Sequence, residues 1–520
     1  MFPAQTSLIP VTVALTSYIA QNGFSGNYPY WYLGSTPVKY LIGPVVPGIL
    51  NGLNNIFGVG LFNVSIALVI FSIFVSAAGW GAFTATISGN IKIGVTVTFL
   101  SLILPWHWFF SLGLSEVSAV FAVSFTGWLL YLYKRYTDSG LKINWAIALT
   151  LMLVLILLTN TTTALVPILS LLILSIALDK KIGTVIKRIG VIILIGWSIS
   201  TIWYGAGYWL TILGAPSVGG KTILGAFVSL VNSLRAFVPV ILVVVLVWWQ
   251  IKPGSILAKF TLYYLVLFGS MTLFRLLADW DFWMDWTAWI WEVEVGIAFA
   301  AALLIDRSVR HFEKPFGQTL SKVRDSSLDL TYASARHQLK KKFVLQLGLA
   351  SSYFSKCLPS LIRSKLTIYY LLLTIYILAG WYFVFSKRAF WLPGKTIEGT
   401  VEYRIARRLE GIVKPGETVF LSGTTAFWLN SFVNVAQVRG GRDEAAVDQK
   451  WRDVAWKIRQ GSDLEIVVSS LRNFNVNYLV IHTDDSMEYY HDFKNPGIFL
   501  DSNIFKEVFN SSGDIIYKIN

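Results

Sequence analysis

The chain has 520 residues, of which 55% are hydrophobic and 14% are charged, and its mean hydropathy is +0.59. Apolar runs at this frequency exclude a soluble globular protein and indicate a polytopic α-helical membrane protein. A net charge of +14 would favour nucleic acid as the partner of a soluble protein. Here most Lys and Arg residues lie in short loops between apolar runs, where they orient helices, so we expect membrane lipids as partners and no nucleic acid.

Residues 1–58 do not form a clean span, because PVTVALTSYIA is short and hydroxyl-rich and the segment after it is broken by Gly and Pro. We interpret them as a first outer loop with a short helix at the membrane interface. Four aromatic residues would anchor this loop: Tyr28, Tyr30, Trp31 and Tyr32. No secretory signal pattern is present, so either a first membrane helix precedes Met1 or residues 7–20 insert as a short span.

About ten spans follow, and they define a transmembrane core (59–305), a basic cytoplasmic segment (306–365) and a last transmembrane helix (366–386). The predicted spans are 59–85, 91–110, 114–133, 144–160, 162–179, 188–212, 234–250, 257–276, 286–305 and 366–386. Lys and Arg cluster in alternate loops, which indicates that these loops are cytoplasmic. The chain is therefore predicted to lie in the cytoplasmic membrane with its C-terminus outside.

Residues 388–520 differ in composition from the apolar core. Short β-type runs, TVFLSG, EIVVSSL, NYLVIH and DIIYKI, alternate with the helical patterns VEYRIARRLEGI and WRDVAWKIRQ. This alternation predicts a small extracytoplasmic α/β domain. Between its first strand and a later helix, the segment Arg439 to Asp443 places two glycines between two arginines. This segment is either an exposed turn that attracts anions or a structural turn with solvated charges.

Glu116 is the first carboxylate of the chain and opens the predicted span 114–133. It could act as a general base, hold a divalent cation or orient an acceptor, since ionisable groups at the edge of an apolar helix are usually functional. The alternative is a solvated carboxylate at a helix N-terminus. His107, between Trp106 and Trp108, is either a second acid or base or a hydrogen-bonded residue of the membrane interface.

The segment 274–296 carries most of the other candidates. Its acidic and aromatic residues are suited to sugar binding, because a ring stacks on the apolar sugar face while carboxylates bind hydroxyls. The candidates are Asp279, Asp281, Trp283, Asp285 and Glu292, with Trp31 from the first loop. Arg275 and Arg235 could hold a phosphate. The alternative is an aromatic belt with solvated charges, and for Arg235 simple snorkelling. Glu292 and Glu294 are two residues apart and cannot both face one small site.

The loop with Trp106, His107, Trp108 and Glu116 resembles the second outer loop of the GT-C glycosyltransferases, membrane enzymes that take sugars from lipid carriers. The likeness extends to the long first loop, PYWYLGSTPVKYLIGPVVP, and to the outer domain ending in VNYLVIH. More narrowly, GLSEV, SGTTAFWLN and QVRGGRDEA are similar to a group of membrane proteins described as related to 6-pyruvoyl-tetrahydropterin synthase. In that group a GHxxE-like loop places the acid on Glu116, and Leu114 stands where His is frequent.

The resemblance implies a membrane-embedded transferase that moves a sugar from a polyprenyl-phosphate donor to a glycan, lipid or protein acceptor on the outer face of a prokaryotic envelope. It places the family's acid on Glu116, as a catalytic base or as the candidate ligand of Mg²⁺ or Mn²⁺. His107 as a second catalytic residue, and Arg275 and Arg235 on the donor phosphate, are expected from the residues themselves. Glu116, Arg275 and Trp283 should then line one cavity.

The first loop departs from the GT-C pattern, because the family has a carboxylate there and residues 1–58 contain no Asp or Glu. Asn27 is the nearest polar stand-in, and an amide cannot accept a proton as a base. The missing acid lies upstream of Met1, which we prefer, or Glu116 acts alone, or the protein binds lipid-linked glycan for envelope assembly without reacting. A transporter is a weaker alternative, since most charges lie at span ends rather than near the bilayer centre.

Overall fold

The computed structural model describes residues 5–178, 182–214, 235, 237–247, 250, 254–278, 286–325, 365–386, 396–441, 446, 450–501 and 503–520. Most of this part of the chain is helical, and a five-stranded sheet lies near the C-terminus. The predicted polytopic helical protein with a C-terminal α/β domain is therefore the observed fold class.

The N-terminal part contains α1 (Ile9–Asn22), α2 (Val38–Leu41), α3 (Val45–Phe57), α4 (Leu61–Ser88), α5 (Ile91–Ile103), α6 (Pro105–Gly113), α7 (Val117–Ser124), α8 (Thr126–Asp138), α9 (Ile143–Thr159) and α10 (Leu165–Leu178). It continues with α11 (Ile182–Gly214), α12 (Phe237–Val247), α13 (Ile256–Ala278), α14 (Trp286–Asp325) and α15 (Lys365–Ser386). The predicted cytoplasmic segment 306–365 thus begins as a continuation of α14, and its residues 326–364 lie outside the described part.

Five described helices are long and apolar enough to cross a membrane, judged by length and composition alone. They are Leu61–Ser88, Val117–Asp138, Lys187–Leu210, Ile256–Leu277 and Tyr369–Ser386. The pair α5 and α6 makes a sixth if it is counted as one broken span, and α9, α10 and α12 are shorter apolar helices. The helical core is therefore a bundle of spans of unequal length.

The predicted span 91–110 is not one straight helix. Leu104 is extended (φ −70°, ψ 127°), and α6 starts at Pro105 with a bend of 51°. Proline tolerates this position because the first N–H groups of a helix have no partner within it. The predicted span 114–133 corresponds to one helical stretch, Val117–Asp138, with a local irregularity at Phe125 between α7 and α8. Broken helices leave backbone groups that other side chains must satisfy.

Helices α4 and α8 approach each other closely because glycines face each other at their crossing. A Cβ atom built on Gly127 of α8 would lie 2.5 Å from the backbone of Gly79 and Trp80 on α4. A side chain at this position would force the two helices apart, since nothing between their backbones can yield. The crossing helps to set the position of α7 and of the loop before it.

We expect Gly127→Ala to destabilise the protein by about 1–3 kcal/mol, because the added methyl group overpacks two backbones. The measurement is the midpoint of thermal unfolding in detergent. Gly269→Ala on α13 is the matched control, since a Cβ there meets no atom within 4 Å. An unchanged midpoint for Gly127→Ala would show that the helices separate at little cost.

The C-terminal domain contains α16 (Val401–Ile412), β1 (Thr418–Phe420), α17 (Thr425–Phe432), β2 (Ala436–Gln437), α18 (Trp451–Gln460), α19 (Leu464–Asn473), β3 (Val476–His482), β4 (Phe505–Ser511) and β5 (Asp514–Ile519). The strand order is β2-β1-β3-β5-β4. β1 is parallel to β2 and β3, whereas β5 is antiparallel to β3 and β4. This mixed sheet with flanking helices is the predicted α/β domain.

The prediction of a strand for EIVVSSL is wrong, because these residues belong to α19. Asp463 caps this helix by accepting hydrogen bonds from the backbone N–H groups of Glu465 (2.8 Å) and Ile466 (3.2 Å). Its buried apolar residues, Val467, Val468 and Leu471, follow a helical spacing. A β-branched run with an N-terminal Asp cap therefore becomes a helix when one face is buried.

The first loop packs against the C-terminal domain, and its place at the membrane interface stays a prediction. Helix α1 is buried from Ile9 to Thr16 and packs against α17 as well as α3 and α4. Trp31 is 0% exposed. Cβ atoms built on Gly440 and Gly441 would lie 2.5 and 2.8 Å from its ring.

These contacts bear on two expectations. The aromatic residues Tyr28, Trp31 and Tyr32, predicted as anchors of the first loop, belong to a core shared with the C-terminal domain. The two glycines of the Arg439–Asp443 segment are needed for close packing on Trp31, so their backbone is not an open anion-binding turn. Arg442 and Asp443 themselves lie outside the described residues.

Candidate functional site

Glu116 lies between α6 and α7, where an extended backbone (φ −77°, ψ 147°) turns the chain from one helix into the next. Its side chain is buried, with 7% of the residue exposed. Oε2 accepts a hydrogen bond from Ser118 Oγ at 3.1 Å. The carbonyl of Gly113, three residues before Glu116, accepts a hydrogen bond from Thr6 Oγ1 at 2.8 Å. The N-terminal segment of the chain therefore packs on this turn.

A chain of hydrogen bonds leads from Glu116 to the loop between α9 and α10. Asn160 Nδ2 donates to Ser118 Oγ at 3.1 Å, and Asn160 Oδ1 accepts from Thr162 Oγ1 (2.7 Å) and from the backbone N–H of Thr163 (3.1 Å). The amide is therefore fixed in orientation, and it holds Ser118 toward the carboxylate. Glu116 is placed by a rigid polar network and not by solvent.

Asn160 also lines a small pocket rich in hydroxyl groups. The pocket lies between α2, the end of α9 and α11, and its polar lining residues include Tyr40, Thr161, Tyr204 and Tyr208. α11 is kinked at Gly205 (φ +69°, ψ 172°), a conformation that favours glycine, and the kink lies between the two tyrosines. The pocket has room for about one water molecule, so it can take a single hydroxyl group and not a sugar ring.

Asn160, Ser118 and the pocket tyrosines were not predicted as site residues from the sequence. One signal was available: the run Asn160 to Thr163 places four polar residues between two apolar spans. Polar residues at span ends are common, however, and only the tertiary structure shows that this run faces Glu116 and not lipid.

Glu294 accepts hydrogen bonds from backbone N–H groups that have no helical partner at the break between α5 and α6. Its Oε2 accepts a hydrogen bond from the backbone N–H of His107 at 2.7 Å, and its Oε1 accepts from the N–H of Trp106 (3.2 Å) and from Tyr376 Oη (2.9 Å). On the other side of the break, the indole N–H of Trp381 donates to the Ile103 carbonyl at 2.9 Å. The carboxylate thus ties α6 to α14 and α15.

His107 is held mainly through its backbone. Its ring is buried and lies 6.2 Å from the ring of Trp291. Glu292, two residues before Glu294, is 1% exposed, and its Oε2 has no hydrogen-bond partner within the described part of the chain. The two glutamates therefore have different surroundings, in agreement with the expectation that they point in different directions.

The remaining predicted residues are scattered or lie outside the described ranges. Arg275 is in the last turn of α13 and is half-buried, and Arg235 is exposed. Asp279, Asp281, Trp283 and Asp285 lie outside the described residues. The predicted cavity shared by Glu116, Arg275 and Trp283 and the sugar-binding roles of these residues therefore stay predictions, and Trp31 is buried against the outer domain.

The donor set around Glu116 does not fit a divalent cation. Among the residues that the structure describes, no three His, Cys, Asp or Glu side chains converge as metal ligands. Mg²⁺ and Mn²⁺ prefer several oxygen ligands, usually more than one carboxylate. The role of Glu116 as a metal ligand stays a prediction.

The C-terminal domain contains a buried pair of carboxylates that did not stand out in the sequence. Glu402 is 0% exposed and accepts a hydrogen bond from Thr424 Oγ1 at 3.2 Å. Glu488 accepts from the backbone N–H groups of Thr424 (2.8 Å) and Thr425 (3.1 Å) at the start of α17. Burial, and then the charge of Glu488, raises the pKa of Glu402 to about 8.

This raised pKa predicts a pH-dependent stability. The unfolded chain loses the proton of Glu402 near pH 4.5, whereas the folded chain keeps it until about pH 8. Folding therefore takes up a proton between these values, and this contribution to stability falls as the pH rises. We expect Glu402→Gln to become more stable relative to wild type between about pH 5 and about pH 9 in thermal unfolding. The exposed Glu410→Gln on the same helix should show no such relative change.

Comparison with known proteins supports the fold but gives no relative by sequence. No family model matches the chain, and no curated protein matches it. Among solved structures, the arabinofuranosyltransferase AftD from Mycobacteria is similar over 100% of this chain and 38% of its own, with 12% identity and a TM-score of 0.50.

Two further structures are similar with slightly lower TM-scores. ArnT from Cupriavidus metallidurans covers 99% of this chain and 93% of its own at 11% identity and a TM-score of 0.49, and it has also been solved with undecaprenyl phosphate. The oligosaccharyltransferase of Archaeoglobus fulgidus covers 92% of this chain at 13% identity and a TM-score of 0.48. The present chain spans 66% of that enzyme and 38% of AftD.

The architecture defines a multi-pass membrane protein with a C-terminal α/β domain. The likeness to AftD shows that the two chains share a fold, in agreement with the GT-C-like fold expected from the sequence. The narrower resemblance to proteins described as related to 6-pyruvoyl-tetrahydropterin synthase is not tested by these comparisons and stays a prediction.

Proposed function

We propose that this protein is a GT-C glycosyltransferase that moves a sugar from a polyprenyl-phosphate donor to an acceptor at the outer face of the cytoplasmic membrane. The observation that carries the proposal is the position of Glu116. It is a buried carboxylate at the turn between two membrane helices, oriented by Ser118 and Asn160 beside a hydroxyl-lined pocket. The GT-C fold supports the same class of reaction.

In this proposal, Glu116 accepts the proton of the acceptor hydroxyl while that oxygen bonds to the anomeric carbon of the sugar. The bond between the anomeric carbon and the phosphate oxygen breaks, and the polyprenyl phosphate leaves with the electron pair. Arg275 or Arg235 neutralises that phosphate, and His107 is a second candidate for proton transfer. Asp279, Asp281, Trp283, Asp285 and Glu292 are the candidates for contacts with sugar or acceptor, whereas Trp31 is buried in the protein core.

The proposed arrangement in the membrane follows from the charge pattern. Residues 1–58 and 388–520 lie outside, residues 59–305 and 366–386 form the membrane part, and residues 306–365 face the cytoplasm. Contacts between α1 and α17 support placing the first segment and the outer domain on the same side. Labelling of single cysteines introduced at Leu500 and Lys142 in intact cells would test the two sides, since only the first should react with an impermeant reagent.

The function is tested by incubating the purified protein in detergent with polyprenyl-linked sugar donors and envelope glycan, lipid and peptide acceptors. Mass spectrometry should detect a product that has gained one sugar or one glycan. Assays with and without EDTA, followed by Mg²⁺ or Mn²⁺, test the predicted metal. Donor hydrolysis or transfer that is no faster than in buffer, across the whole panel, would contradict an enzymatic role.

A non-catalytic protein that binds lipid-linked glycan for envelope assembly is the second candidate. The observation that favours it is the lack of any Asp or Glu before Glu116, which leaves the first loop without the carboxylate of the GT-C pattern. Tight binding of a polyprenyl-linked glycan without product would support this candidate over the first.

A further inference from the structure

The outer domain exposes a strip of aromatic and charged side chains formed by Trp456, Arg459, Asp492, Tyr490 and Tyr489, which we call the aromatic strip. Trp456, Tyr489 and Tyr490 are 59%, 40% and 44% exposed. A contiguous exposed apolar patch, unlike a single exposed residue, marks an interface or a ligand site. Trp456 is linked through Arg459 to Asp492, and Tyr490 and Tyr489 lie two and three residues before Asp492 in the chain.

These contacts run through the centre of the strip. The Arg459 guanidinium lies over the Trp456 ring, 5.9 Å from its centroid, and Arg459 Nη1 forms an ion pair with Asp492 Oδ2 at 3.2 Å. Tyr490 is two residues before Asp492, and its ring contacts Tyr489 edge-on with centroids 4.8 Å apart. The strip therefore alternates apolar faces with charged groups.

Asp492 is fixed in one orientation by several donors. Oδ2 accepts hydrogen bonds from Ser422 Oγ at 2.5 Å and from the Gly423 N–H at 3.3 Å, and Arg439 lies 3.7 Å away. Burial alone would raise its pKa, but the Ser422 hydrogen bond and the charges of Arg459 and Arg439 lower the pKa of Asp492 below its usual value. The strip thus presents a preorganised carboxylate between two guanidinium groups.

The loop that carries the tyrosines is also anchored. Glu488 is buried under α17, and its Oε1 accepts a hydrogen bond from the backbone N–H of Tyr490 at 3.3 Å. Asp492 holds the other end of the loop. Because both ends are fixed, the exposed rings keep their positions at little entropic cost when a ligand binds.

The loop that carries the tyrosines is linked to the turn that holds Glu116 through residues 5 and 6. The carbonyl of Met487, two residues before Tyr489, accepts a hydrogen bond from Gln5 Nε2 at 3.0 Å. The next residue, Thr6, donates to the carbonyl of Gly113, three positions before Glu116. Two hydrogen bonds therefore connect the tyrosine loop with the candidate reaction site.

Sugars match this surface better than lipid or a folded protein does. A pyranose or furanose ring has an apolar face that stacks on an aromatic ring and a rim of hydroxyl groups that bind carboxylate and guanidinium groups. A lipid-facing surface would lack the fixed ion pairs at its centre, and a protein interface would usually have an apolar core. Rings that alternate with fixed donors and acceptors suit a chain of successive sugar units.

We propose that the aromatic strip binds an oligosaccharide, with sugar faces on Trp456 and Tyr490 and hydroxyl groups on Asp492 and Arg459. This inference rests on the proposed function in one respect: the oligosaccharide is the acceptor, held with its growing end toward Glu116. Binding itself does not depend on transfer, so the two can be tested separately.

The test uses the full-length protein in detergent with two probes, mannotetraose as a neutral oligosaccharide and tetragalacturonic acid as an acidic one. Saturation-transfer NMR should show contact between the protein and the sugar ring protons of at least one probe. Trp456→Ala and Tyr490→Ala should each weaken binding by at least about tenfold, and Trp456→Phe should retain most of it. Leu500→Ala, which changes another exposed apolar residue of this domain, should have no effect.

The result that overturns the proposal is binding of neither probe, or binding that survives both alanine substitutions. Glu116→Gln should bind the probe as wild type does. If the wild-type protein binds the probe but transfers no sugar to any acceptor, the proposed enzymatic function fails and the binding proposal stands. If transfer is observed, Trp456→Ala should raise the KM for the acceptor and leave kcat unchanged. An unchanged KM would contradict the acceptor role.

Discussion

Glu116→Gln is expected to lower kcat for sugar transfer by about 10²–10⁴-fold, the usual contribution of a general base. Glutamine keeps the shape of the side chain and can still accept the hydrogen bond from Ser118, but an amide cannot take a proton from the acceptor hydroxyl. The loss should therefore appear in kcat with little change in the KM of the donor. The measurement is product formation under saturating donor and acceptor.

Two controls separate chemistry from folding. The unfolding midpoint of Glu116→Gln should equal that of wild type, because the glutamine side chain retains the hydrogen bond to Ser118. Ser118→Ala should reduce kcat by less than Glu116→Gln, since it removes only one donor to the carboxylate and leaves the Asn160 amide without that acceptor. A Glu116→Gln protein that turns over at the wild-type rate would remove Glu116 from the mechanism.

Glu294→Ala is expected to destabilise the membrane part by at least about 3 kcal/mol. The substitution leaves the N–H groups of Trp106 and His107 and the hydroxyl of Tyr376 without their acceptor at a buried helix break. A buried donor that loses its partner costs about 1–3 kcal/mol, and three donors lose theirs at once. The unfolding midpoint in detergent should fall clearly below that of wild type.

Milder substitutions should lower the stability by less. Glu294→Gln keeps one acceptor oxygen and should lose less stability than alanine, and Tyr376→Phe removes one hydrogen bond at a cost of about 1 kcal/mol. Tyr369→Phe is the matched control, because Tyr369 lies on the same helix and is 49% exposed. Equal stability of wild type and Glu294→Ala would mean that water or a neighbouring group accepts the hydrogen bonds of these donors instead.

The outer domain shows where local patterns suffice and where they do not. VEYRIARRLEGI and WRDVAWKIRQ were predicted as helices and form α16 and α18, because their apolar residues follow a helical period. EIVVSSL was predicted as a strand because it is β-branched and apolar. The Asp463 cap and the burial of one face override that preference, and burial is decided by the rest of the domain.

The site shows the same division. Glu116 stands out in the sequence because it is the first carboxylate, and an acid at the edge of an apolar run is costly without a function. Asn160 does not stand out, since its role in the site depends on a hydrogen bond to Ser118, which lies 3.1 Å away on another helix. Glu294 was read as a charge inside a span, and only the bend at Pro105 reveals the two backbone N–H groups that it binds.

The sequence by itself determined the membrane class, the positions of most helices and the α/β character of the last 133 residues (388–520), because apolar run length and hydrophobic period are local properties. The tertiary structure decided that Trp31 packs on Gly440, that Glu294 completes a helix break and that Asn160 orients Ser118 toward Glu116. These contacts join residues far apart in the chain. Their existence depends on how helices cross and where backbones approach, which no local pattern encodes.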